Sequence, residues 1–196
     1  GVPPPELIDT LARTFERVFM VLDIGCFSER QRLETLRLGL LKPCPSDAQL
    51  FEVIESSRRH PNLELEISGI SGLPFASLAT LGEESRLVET VLRLGCEVGY
   101  QRLEAQPGAL VTEHPERFGM VTEARTFDEF LEYFQRDDPA LEGTVPMERF
   151  ADPALEAAIF TTVMCGRVGV LLMYACMATK SFTLVNRSGG GHVPVN

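Results

Sequence analysis

Ser28–Gln31, Ser46–Gln49 and Thr126–Glu129 each set a Ser or Thr three residues ahead of a Gln or Glu, just before a stretch with helical spacing. At that spacing each side chain can satisfy the other residue's backbone N–H, so the pattern marks where a helix begins. The first box opens a helix carrying Leu33, Leu36, Leu38 and Leu40 to about Leu41, where Pro43-Cys44-Pro45 breaks it. The second opens a helix with Leu50, Val53 and Ile54 as its buried stripe, ending near His60-Pro61. The third starts a helix over 126–136, whose Phe127, Phe130 and Phe134 fall at helical spacing and are expected to face inward.

Two more helices are read from periodicity alone. Over 6–22, Ile8, Leu11, Phe15, Val18, Phe19 and Leu22 form one stripe, with Pro5 before the first turn. From Ser85, Leu87, Val88, Val91 and Leu92 form another, stopping at Gly95. Residues 63–70, Leu-Glu-Leu-Glu-Ile-Ser-Gly-Ile, alternate as a strand with one wet face does. Val98–Ala105 and Ala109–Glu113 read as two strands about the Gln106-Pro107-Gly108 turn, with a further short strand over 119–123.

Helices and short strands without a regular βαβ rhythm predict an α+β fold. We expect a single domain over 1–196, a small mostly antiparallel sheet covered by amphipathic helices, with a subdomain break near the polar connection 137–150. Ala157–Ala178 is almost wholly apolar and carries one charge, Arg167. A buried helix broken at Gly166 fits it best, and a pair of core strands or an interface is the alternative. A membrane span is disfavoured, because Arg167 would lie near mid-bilayer.

Charge narrows the function. The formal net charge is −10, and residues 101–150 hold five basic groups against eleven acidic ones. Such a chain repels phosphate backbones, which argues against nucleic acid as a partner, and it steers basic macromolecules toward itself. The acidic groups Asp128, Glu129, Glu132, Asp137 and Asp138 lie on or beside the Phe-rich helix, with Tyr133 among them. They are the expected contact residues for a basic protein partner. The five cysteines, Cys26, Cys44, Cys96, Cys165 and Cys176, are odd in number and have no C-x-x-C spacing. Reduced thiols and a cytoplasmic setting are expected, and no signal peptide is read at the start.

No phosphate-binding or dinucleotide glycine motif occurs, and none of His60, His114 and His192 has a His or Cys three or four residues away. Neither a cofactor nor a metal is therefore expected. The leading reading is a non-enzymatic binding module of the adaptor, inhibitor or immunity type. The alternative is a cysteine hydrolase or deamidase, in which Cys26 or Cys44, each two residues before a capping Ser, would be the nucleophile and His192 its base.

Overall fold

The computed structural model describes residues 2–40, 42–103, 107–122, 124–134 and 148–162. The chain opens with helix α1 (Pro5–Thr14), but the helix expected to run to residue 22 stops there and strand β1 follows (Val18–Asp23). The stop comes from far along the sequence. Asn62 donates its side-chain amide to the carbonyls of Ala12 and Phe15, both at 2.9 Å. The Asn62 carbonyl then accepts the Val18 N–H at 2.9 Å, which starts strand pairing one residue before β2 (Leu63–Ser71). Val-Phe-Met-Val-Leu suits an extended backbone as well as a helical stripe, so a non-local contact decides between them.

Between β1 and β2 lie α2 (Glu29–Arg37) and α3 (Asp47–Arg58), and between β2 and β3 (Glu97–Arg102) lies α4 (Leu78–Arg93). β1 pairs with β2 and β2 with β3, both in parallel, giving a three-stranded sheet of order β1-β2-β3. This overturns the expected mostly antiparallel sheet and supplies the βαβ rhythm that sequence reading missed. The wet face of β2 is the source of that error. One solvated face is the habit of antiparallel sheets, whereas parallel sheets are usually covered on both. Here the helical crossovers required by parallel strands are present, yet the alternation persists.

The register places Leu22, Ile67 and Val98 side by side on one face. Ile8 of α1, Leu50, Val53 and Ile54 of α3, and Leu87, Val88 and Val91 of α4 complete the main core with them. Helix α4 is longer than the stretch predicted from Ser85, because Ser77 and Thr80 form a capping box seven residues upstream of α4's Glu84.

A second apolar cluster covers the carboxyl ends of these strands, where open α/β sheets commonly hold their ligands. It contains Leu81, Val111, Phe118, Met120, Phe150 and Ile159, packed with Leu40, Ala76 and Leu103 from the main module. Its elements are α5 (Leu110–Glu113), a 3-10 turn (Pro115–Phe118) and an antiparallel pair, β4 (Met120–Thr122) with β5 (Glu148–Phe150). The strand expected over 109–113 is thus a helical turn, and the expected connection 137–150 ends in a strand. Residues 153–162 are helical, and the rest of the 157–178 run lies outside the described residues. Glu156 fastens the two modules by accepting from Arg102 at 2.8 Å and from the Phe150 N–H at 2.9 Å. Phe75, in the left-handed region at φ 68°, sets its ring edge-on to Phe118 at 6.1 Å. Among the described residues no helix is long and apolar enough to cross a membrane.

Candidate functional site

Helix α6 (Phe127–Phe134) starts as its capping box requires. The Glu129 N–H donates to Thr126 Oγ1 at 3.3 Å, and Glu129 Oε2 accepts the N–H groups of Arg125 and Thr126 at 2.8 and 2.9 Å. Those backbone donors hold the Glu129 carboxyl below its ordinary range. Phe130 is buried against Ala124. Phe127, expected inward, is instead 70% exposed, and Leu131 is 45% exposed. The Phe134 side chain, also expected inward, lies outside the described residues; among the described residues Ala124 packs with the Phe130 ring, while Phe127 and Leu131 stay in water. Asp128 and Glu132 are exposed beside them. Tyr133 lies on the same helix, while Asp137 and Asp138 lie outside the described residues.

Cys26 follows β1 and is fully buried, its thiol donating to the Ser28 carbonyl at 3.3 Å. Burial first, and the Glu84 charge second, push that thiol up to about 12. Cys44 is partly exposed, and its thiol is also raised, by burial and then by the Asp23 carboxylate. A nucleophilic thiol needs the opposite shift, in electropositive and accessible surroundings. His192 lies outside the described residues. His60 pairs with Asp9 at 2.7 Å, and the His114 ring stands 3.8 Å from Glu116.

Sequence reading passed over a buried polar group behind the strands. Glu84 of α4 is fully buried, and its Oε2 accepts from the Tyr100 hydroxyl of β3 and from Ser71 Oγ of β2, the latter at 3.0 Å. Burial pushes this carboxyl up to about 7, against the lowering effect of its two donors, and the neighbouring Glu83 adds to the rise. The Tyr100 hydroxyl is raised as well, by burial and then by Glu84, so it stays a donor. The sequence signal was present: Leu81, Glu84, Leu87, Val88 and Val91 share one stripe at steps of three and four. Without solvent access this group fastens α4 to β2 and β3 and meets no substrate.

The loops beside it are fixed by polar side chains too. Gln31 does not reach back to its capping Ser28; its amide donates to the carbonyls of Leu73 and Pro74 at 2.8 and 3.1 Å. Arg32, also buried, donates to the Cys26 carbonyl at 2.6 Å and to Asp47. Between α2, α3 and α4 runs an open groove of about 440 Å³, floored by Phe27, Phe51 and Leu87. Its rim charges are largely spent on one another: Glu83 takes Arg30 at 3.0 Å and Ser28 at 2.6 Å, and Glu29 accepts the Asp47 N–H at 2.9 Å. Among the described residues no group of His, Cys, Asp and Glu is arranged to hold a metal ion. No protein-family model matches the chain, and no curated protein matches it.

Proposed function

We propose that this protein acts by stoichiometric binding to a basic protein partner through α6. The observation that carries the reading is the exposed Phe127 ring, with Asp128 and Glu132 in water on the same helix. An exposed aromatic side chain beside charged groups can serve as the anchor of an interface hot spot. The net charge of −10 supplies steering, which raises the association rate more than the affinity. Glu129 contributes by holding the helix start, and Tyr133, Asp137 and Asp138 are assigned to the same contact set from their place in the sequence. An adaptor, inhibitor or immunity-type role is the form of action this implies.

The test is photo-crosslinking in extracts of the native source, with the crosslinker at position 127 and, as a control, at Glu89 on α4. Position 127 should capture one protein, rich in Lys and Arg, at one-to-one stoichiometry. Binding to that protein should weaken at least tenfold in Phe127→Ala, and association should slow in Glu132→Lys and at higher salt. Loss of the biological activity in Cys26→Ser, Cys44→Ser or His192→Ala, with these changes at 127 and 132 silent, would replace the binding reading with a hydrolase.

A further inference from the structure

The three-stranded sheet has two edges, and they differ in kind. Edge strand β3 carries Glu97 and Gln101, charged and polar side chains of the kind natural edges use against unwanted pairing. Edge strand β1 reads Val-Phe-Met-Val-Leu-Asp, with no charge before its last residue and no proline. Val18 and Ile24 donate toward β2 through Asn62 and Ser68, so the even-numbered backbone groups of β1 face the sheet. The N–H and C=O groups of Phe19, Val21 and Asp23 therefore point to the free edge, where no other described strand pairs with them. Phe19 and Val21 also stand 55% and 52% exposed, on the face opposite the helices of the main core.

We propose that a second copy of this chain occupies that edge, its β1 antiparallel to the first about a two-fold axis at Met20. This pairing goes beyond the α6 reading and does not depend on it. An isologous contact must be self-complementary, residue for residue. With Met20 opposite Met20, Phe19 faces Val21 of the second copy and Val21 faces its Phe19. Both are residues whose backbone groups point outward, so each pair exchanges two hydrogen bonds. Aromatic and β-branched side chains opposite each other are among the favourable cross-strand pairs. The same register sets Arg17 against Asp23 of the second copy, and Asp23 against its Arg17. Sliding by one pair in either direction loses both matches. Arg17 and Asp23 each hold an exposed ion pair within the chain, to Glu64 and Lys42 at 2.7 Å, which leaves them in place to share. The two sheets become one of six strands. A pairing of about seven residues per strand is smaller than the interface of a permanent dimer, so the dimer is weak and concentration-dependent.

Sedimentation velocity of the full chain from about 1 μM to about 1 mM tests this. The 21.7 kDa species should give way to one of twice that mass as concentration rises. Val21→Lys, on an exposed side chain, should weaken dimerisation at least tenfold. Arg17→Asp and Asp23→Arg should each weaken it, and the double variant should restore it. Raising salt from about 0.01 M to about 0.15 M should tighten the dimer, because two chains of −10 repel each other at long range. The association through α6 has the opposite salt dependence, and Phe127→Ala should leave the dimer intact, so the two proposals fail separately. A monomer at every concentration overturns this one, whether the amides of residues 19, 21 and 23 exchange freely or are protected by another part of the chain. So does a dimer indifferent to Val21→Lys, or one that the charge swap does not rescue.

Discussion

The two faces of the parallel sheet carry the same strands and opposite chemistry. In one in-register row Leu22, Ile67 and Val98 lie under α1, α3 and α4. One residue earlier along each strand, Val21, Glu66 and Glu97 stand on the other face, where Val21 is half exposed and neither glutamate meets a cation among the described residues. The contrast follows from the central strand, where Glu64, Glu66 and Ser68 alternate with Leu63, Leu65 and Ile67. It also locates the stability of the molecule on one side, and the comparison can be pressed by substitution.

The inner face should be by far the more sensitive. The Phe27 ring is buried, stands edge-on to Tyr100 at 5.2 Å and lies over the backbone of Gly69. Phe27→Ala should cost about 3–5 kcal/mol in denaturant unfolding. A loss below about 1 kcal/mol would mean that the helical layer does not depend on this ring.

Next in size is the buried carboxyl behind the same face. Glu84 binds its proton more tightly when folded, up to about 7, than an ordinary glutamate does. Its contribution is therefore fully present below about pH 4.5 and is lost as pH rises toward 7. The loss amounts to something on the order of 3 kcal/mol. Glu84→Gln should remove that part of the pH dependence and be more stable than the native chain above pH 7. Equal pH profiles for the two chains would mean the carboxyl is already ionised in the fold.

A smaller effect is expected from adding a single methyl. A Cβ on Gly69 would lie 2.6 Å from the Phe27 ring, which is packed too closely to swing aside. Gly69→Ala should cost about 1–3 kcal/mol, and trimming the ring with Phe27→Leu should make the two changes non-additive. Additive losses would separate the glycine from the ring.

On the outer face the expectation changes sign. Glu66 and Glu97 are cross-strand neighbours of like charge, so Glu97→Lys should stabilise by about 0.2–1 kcal/mol at low salt and by less at high salt. A destabilisation would mean that this face is covered by something that needs the carboxylate.

Helix starts at Ser46 and Thr126, the two faces of β2 and the burial of Leu50, Val53, Ile54 and Phe130 were all determined by the sequence itself. Each follows from groups within about one helical turn or two strand residues of each other. Tertiary structure decided the rest. Asn62 ends α1 and starts β1, forty-odd residues apart in sequence, and makes a strand of residues that also fit a helical stripe. Parallel pairing could not be read from β2, since alternation records which side is wet and carries no information about the direction of its neighbours. Phe127 belongs to the same local stripe as Phe130, yet Phe130 packs against Ala124 and Phe127 stays in water, a difference that spacing does not record. Glu84 stood in plain view on an apolar stripe, but its proton is held there by desolvation against the pull of its donors Tyr100 and Ser71, and that burial exists only after the strands have paired. Short-range geometry is encoded residue by residue; pairing partners, burial depth and proton affinity are set by what the rest of the chain brings near.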